Sequence, residues 1–393
     1  MKKVICLGFV LTLLSIMPSF AQKGTRIEPY KFEIIIENPI TSIKNQASSG
    51  TCWCFSGISF LESEIMRITG EEFDLSEMFV VSNAYYDKAL KYVRMHGHLN
   101  FGPGSSFSDV LAVLEIYGIV PENEMLGLNY GTNQHMHFEM DEVLKSIVSA
   151  LIKNPNQKLS KAWKTGFRNM TAAYLGEIPE TFTVSEKKYT PKSFMESLGI
   201  DLNDYVDISS WTHHPFYETM VIEVPDNWRG RTACNVPLDD MIEIIDNAID
   251  NGYTIAWASD VSEDGFTGAG VAVVPDVTKT IQGSDEARWI GSIEHNGKPL
   301  YAQTPCPELE ITQELRQEGF DDYSTTDDHG MHIFGKAKDQ NGVEYYMVKN
   351  SWGNVGPYNG IWYVSKAYVR YKTTDIVVNK NAIPNEIREK LNL

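Results

Sequence analysis

The sequence predicts an α+β protein made of two unlike halves, helical first and strand-rich last. Helical spacing of apolar residues dominates from Cys52 to about residue 210, and β-rich pieces cut by turns dominate from Tyr253 onward. Composition agrees with a packed core, since 42% of the 393 residues are apolar and 17 Phe, 19 Tyr and 8 Trp are present.

The elements follow in order. Lys2 and Lys3 precede an apolar run from Val4 to Ile16, and Ser19-Phe20-Ala21 offers small residues for cleavage. That pattern predicts a signal peptide over residues 1–21 and a mature, periplasmic or secreted chain from about Gln22. Cys6 lies inside the run, too near the start to carry a lipid after cleavage. No later segment approaches the roughly 20 apolar residues that span a bilayer, so no membrane association is expected afterwards. Gly24 to Pro39 reads as an extended arm in which Phe32, Ile34 and Ile36 alternate with charged residues.

From Cys52 to about Thr69 the spacing turns helical, with Phe55, Ile58, Leu61 and Ile65 on one face and Gly70 as the cap. Gly102 to Ser106 is a turn, and Ser108 to Tyr117 is again helical. His135 to Leu202 reads as mostly helical, with Met140, Val143, Leu144, Ile147 and Leu151 at helical spacing. Leu238 to Asn251 repeats the pattern, and Tyr253 to Ala258 follows as a buried strand. Met331–Phe334, Glu344–Lys349 and Ile361–Ser365 are the last strands.

The formal charge of −18 repels phosphate backbones, which argues against nucleic acid as a partner. Cys52, Cys54, Cys234 and Cys306 remain after the leader; they are too few for a disulfide scaffold, although a Cys234–Cys306 bridge is compatible with an oxidising compartment. His213, His214, Asp109, Asp260 and Glu263 lack metal-ligand spacing, so neither a metal nor another cofactor is expected.

Three segments carry chemistry. Asn45 to Ser56 places Cys52 on the first turn of an amphipathic helix, where free N–H groups and the helix dipole favour a thiolate. Gln46, six residues upstream, can aim its amide N–H at the same point as the backbone N–H of Cys52, forming an oxyanion hole. His329 opens an apolar strand and can act as the base. Asn350 ends another strand and can orient the imidazole, with Trp352 shielding that bond and expected to contact the substrate. Together they supply nucleophile, base, orienter and oxyanion donor for acyl transfer. His332 is a rival base, but three residues along a strand it faces the other way. Cys54 diverges from Cys52 on the same helix and reads as packing.

These segments, Gln46 with Cys52-Trp53, Asp328-His329 with Met331, and Asn350 to Gly353, resemble the papain superfamily of cysteine peptidases. Ser49, Pro191 to Phe194, Leu202 to Val206, Asn235 to Leu238, Trp257 to Val261 and Ala382-Ile383-Pro384 are most similar to its bleomycin hydrolase and bacterial aminopeptidase C branch. The resemblance implies a papain-like fold over residues 22–393, with a helical left lobe bearing Cys52 and a β-rich right lobe bearing His329 and Asn350. It also implies a helical insertion at about 135–210, a C-terminal tail at about 381–393, peptide substrates and a homo-oligomer, a hexamer in that branch. The tail is then expected in the cleft, with the Leu393 carboxylate meeting the substrate's amino group and making the enzyme an aminopeptidase. At neutral pH the resemblance implies a Cys52 thiolate beside a His329 imidazolium. Alternatives are a papain-type endopeptidase with an open cleft, or a catalytically silent papain-fold binding module. The export signal departs from that branch, whose members are typically cytosolic.

Overall fold

The computed structural model describes residues 28–155, 158–278, 294–295 and 298–393; the expected leader, with Cys6, lies outside the described residues. Strand β1 (Glu33–Glu37) leads into helices α1 (Cys52–Thr69), α2 (Glu77–Arg94) and α3 (Phe107–Tyr117). Helices α4 (Phe138–Ile152) and α5 (Ala162–Leu175), a hairpin of β2 (Phe182–Val184) and β3 (Lys187–Tyr189), and α6 (Pro191–Ser197) follow. Next come β4 (Tyr205–Ser209), β5 (Thr219–Val221), β6 (Thr232–Asn235), α7 (Leu238–Asp250) and β7 (Ile255–Ser259). Four two-residue strands, β8 (Phe266–Thr267), β9 (Val271–Ala272), β10 (Glu294–His295) and β11 (Lys298–Pro299), precede α8 (Gln313–Asp321). The chain closes with β12 (His329–Lys338), β13 (Glu344–Lys349), β14 (Ile361–Ser365), α9 (Lys366–Lys372), β15 (Thr373–Asn379) and α10 (Asn385–Leu391).

Helix α1 is buried on almost every side from Trp53 to Ile65, the mark of a helix central to its lobe. Its polar residues therefore need partners inside the protein. Glu62 accepts from the Thr41 hydroxyl at 2.5 Å and from the Leu75 N–H at 2.9 Å, while Ser63 donates to the Pro39 carbonyl at 2.9 Å. Gly70 ends the helix at φ 74°, a left-handed conformation that glycine adopts without a Cβ penalty. Helices α2 to α6 share one apolar core with α1, so the segment from Phe138 to Ser197 adds to the helical lobe rather than forming a separate unit.

The main sheet runs β5-β6-β4-β15-β7-β12-β13-β14-β9-β8, with β1 added to β12. Alternation along the strands divides its faces. Ala256, Ala258 and Val377 join the core of α1, whereas Ile255, Trp257, Met331, Ile333, Ile376 and Val378 join the core of α7.

Several expectations need correction. The alternation in the arm breaks at a bulge between Ile34 and Ile36, and Ile34 is exposed. Residues 205–209 are a sheet strand, not the end of a helical stretch, and 182–189 form a hairpin. Helix α9 and strand β15 were not legible. Cys234 and Cys306 are free thiols in different apolar clusters, so they form no bridge. The tail departs most. Ile387 and Leu391 of α10 pack into the α7 core, and Asn247 donates to the Ala382 carbonyl at 2.7 Å. The amphipathic tail thus buries its apolar stripe on the face of the sheet opposite α1, leaving Leu393 at an exposed end.

Because Ile387 is buried against α7, Ile387→Ala should destabilise the protein by about 2–4 kcal/mol in urea unfolding. A change below about 0.5 kcal/mol would mean the helix is not docked there.

Candidate active site

The loop before α1 is fixed by the strand end that follows β13. Gln46 donates its backbone N–H to the Ser351 carbonyl at 2.8 Å, and its Oε1 accepts from the Ser351 hydroxyl at 2.5 Å. Asn45 bridges Trp352, and the Gly353 N–H reaches the Lys44 carbonyl at 2.9 Å. Gly50, at φ 65°, runs so close to Pro103 that a Cβ would sit 2.7 Å from its ring. This tight turn delivers Cys52 to the first position of α1. With Oε1 held by Ser351, the Gln46 Nε2 is the group left to face the cleft beside Cys52.

His329 begins β12, and its Nε2 lies 2.9 Å from the Asn350 Oδ1. The Ser351 backbone N–H donates to that same Oδ1 at 2.7 Å, which identifies the atom as the carboxamide oxygen. Nε2 therefore carries the proton, and Nδ1 is left unprotonated, as a base requires. The Trp352 ring stacks on the imidazole with centroids 4.8 Å apart, and is itself packed edge-on against Trp362 at 5.5 Å. The backbone of Gly330, the residue next to His329, lies close enough to the Cys52 sulfur to favour its ionised form.

Burial pushes the Cys52 thiol up to about 12, against the opposing N–H groups of Gly330 and Trp53, with Asp327 and Asp226 adding to the rise. Burial likewise draws His329 down to about 4, partly offset by Asn350. Each charge alone is disfavoured, so the charges can form only together, by transfer of the thiol proton to the imidazole. In the expected thiolate–imidazolium pair each charge would offset the burial of the other.

Gln46, Cys52 and His329 line one cleft of about 420 Å³. The same wall carries Asp207, Asp226, Asp327 and Asp375, which sequence reasoning missed. The available signal was a single acid inside each of two otherwise uncharged strands, β4 and β15. Other candidates lie elsewhere. Trp352 covers the imidazole and is not part of the cleft wall, contrary to its expected substrate contact. Leu393 does not reach the cleft, because α10 is anchored on α7. His332 is fully buried between β12 and α1, its Nδ1 2.9 Å from the Ser59 hydroxyl. Cys54 is fully buried, its sulfur 3.3 Å from the Glu77 carbonyl. His213, His214 and Glu223 come within 4.8 Å of one another through their ligand atoms, a grouping the chain spacing did not reveal, but none of them lines the cleft.

Comparison with known proteins agrees with this geometry. The chain matches the papain family cysteine protease profile over residues 29–96 and the peptidase C1-like family profile over residues 306–393. The first match contains Cys52, and the second contains His329 and Asn350. Aminopeptidase G of Lactobacillus delbrueckii subsp. lactis is 21% identical over 399 residues, covering 90% of this chain and 84% of that protein. Aminopeptidase C of Streptococcus thermophilus is 23% identical over 387 residues, covering 88% and 81%. The crystal structure of pepw from Lactobacillus rhamnosis HN001 superposes with a TM-score of 0.67 at 20% identity, over 92% of this chain and 84% of that one. The fold is therefore the two-lobed papain-like α+β fold.

If the thiol ionises only by giving its proton to His329, iodoacetamide should alkylate Cys52 of His329→Ala at pH 7 at least about tenfold more slowly than in the parent protein. Asn350→Ala should slow it less. Equal alkylation of all three, read by mass mapping, would uncouple the thiol from the imidazole.

Proposed function

The chain belongs to the papain superfamily of cysteine peptidases, and from that premise we propose that it hydrolyses peptide bonds with Cys52 as nucleophile and His329 as base. The observation that carries the reading is an imidazole held at Nε2 by Asn350, 2.9 Å away, over the same cleft as a cysteine at a helix N-terminus. Substrate binding brings a carbonyl carbon to the Cys52 sulfur. As the S–C bond forms, the thiol proton moves to the His329 Nδ1. The carbonyl oxygen, now negative, accepts from the Cys52 N–H and the Gln46 Nε2. His329 then protonates the leaving amine, and the acyl-enzyme remains. Water, deprotonated by the same imidazole, releases the acid. Asn350 holds the ring, and Trp352 keeps water from their hydrogen bond.

The finer reading is an aminopeptidase, supported by relatives that carry that name over most of the chain. A second reading, an endopeptidase, is favoured by one observation: the C-terminal tail packs on α7 and leaves the cleft clear of it. A silent binding module is disfavoured, because Gln46, Cys52 and His329 share one cleft and Asn350 is bonded to His329. The Lys2-Lys3 leader supports action outside the cytoplasm.

Cys52→Ala should abolish amide hydrolysis with the fold intact, and Gln46→Ala should lower turnover by roughly 10²–10³. Cys54→Ala should be nearly silent. Rates of one peptide with a free and an acetylated N-terminus separate the two peptidase readings. Removing only Asn392 and Leu393, which follow α10, should leave that ratio unchanged, since the tail lies away from the cleft. Residual turnover by Cys52→Ala comparable with the parent would refute the assignment.

A further inference from the structure

The cleft continues past Cys52 onto the open end of the sheet, and its floor there is a row of register partners. Gly330 of β12 stands opposite Ala258 of β7, and Ala258 stands opposite Asp375 of β15. Glycine and alanine leave the floor low, and Asp375 rises beyond them. Asp207, on the adjoining β4, shares that face, being paired with Val377 next along β15. Asp327, two residues before His329, closes the near side.

Asp375 is buried and Asp207 and Asp327 are half-buried, and all three have few partners for acids in such places. Asp375 is 5% exposed, and among the described residues its side chain accepts one long hydrogen bond, 3.2 Å from the neighbouring Thr374 hydroxyl to Oδ1. Asp207 and Asp327 are hydrogen-bonded to no other described side chain, and none of the three forms an ion pair among the described residues. The cations of the wall, Lys145 and Arg231, stand on its exposed rim. Burial holds Asp207 up at about 7 against the pull of Arg231, and burial with the Asp207 charge beside it holds Asp375 up at about 7; an incoming cation would draw both into the ionised form.

We propose that Asp375, Asp207 and Asp327 form a recognition site for a cationic nitrogen of the peptide substrate, on the acyl side of the scissile bond. The site rests on the peptidase reading above. It supplies from the sheet the negative charge that the C-terminal carboxylate, docked on the opposite face, does not supply. Distance limits the source. Two strand spacings of about 4.8 Å separate Gly330, whose backbone lies close to the Cys52 sulfur, from Asp375. An extended substrate advances about 3.3 Å per residue. The nitrogen is then the α-ammonium of the residue whose carbonyl is attacked, or the side-chain cation of the residue before it.

Four 4-nitroanilides tested on the mature protein distinguish these. Leucyl against N-acetyl-leucyl reads the α-ammonium. N-acetyl-lysyl-leucyl against N-acetyl-norleucyl-leucyl reads the side chain. The proposal expects at least one pair to differ in kcat/KM by about tenfold or more in favour of the cation. That preference should collapse in Asp375→Asn and be retained in Asp375→Glu; Asp327→Asn, near the surface of the cleft, covers the case in which the Asp375 variant fails to fold. Cleavage of the neutral substrates with neither pair differing by more than about twofold overturns the site and leaves the peptidase reading standing. If nothing is cleaved, the peptidase reading falls, and the site is read by protection of Cys52 from iodoacetamide. Leucinamide or lysine amide should then protect better than their N-acetylated, uncharged counterparts, and equal protection overturns the proposal.

Discussion

Ser56 donates to the Gly330 carbonyl at 2.6 Å, and Ser59 lies 2.9 Å from the His332 Nδ1. Three residues of helix advance about 4.5 Å and two of strand about 6.6 Å, so these bonds match one face of α1 to one face of β12. They fix both the roll and the height of the helix against the strand. Everything chemical follows from that match, because Cys52 is one turn before Ser56 and His329 is one residue before Gly330. Gly330 itself lets the elements approach: a Cβ there would come within 3.3 Å of the Trp53 Cα. A pair of buried serines thus aligns Cys52 and His329, the proposed nucleophile and base, which stand 277 residues apart in the chain.

The site is braced on its other side by Ser351. Its N–H, hydroxyl and carbonyl serve Asn350, the Gln46 amide and the Gln46 backbone in turn. One residue therefore sets the tautomer of His329 and aims the Gln46 amide. Such bracing lowers the reorganisation needed when charge develops.

Legibility in the sequence followed the strength of local signals. Helix α1, with its Gly70 cap, and strands β13 and β14, bounded by turns, were read with their true limits. The four residues around the thiol were legible because their types fit one reaction. By contrast, α9 runs into β15 without a glycine or proline, so nothing in Lys366 to Asn379 marks the change of period. The tail misled because an amphipathic stripe declares that it will be buried, not against what. Only packing shows that Ile387 and Leu391 meet α7. Asp207 and Asp375 were invisible as a pair, since β4 and β15 become neighbours only in the sheet.

Strand β15 follows every other described strand in the chain, yet it lies between β4 and β7 and is bonded to both. Until it arrives, the chain must hold apart two bare strand edges separated by residues 210–254, in a state open to mispairing. The cleft wall that carries Asp375 does not exist before that moment. Chain order thus becomes a safeguard: a nascent chain already bearing Cys52 and His329 still lacks one side of its groove until β15 is threaded home.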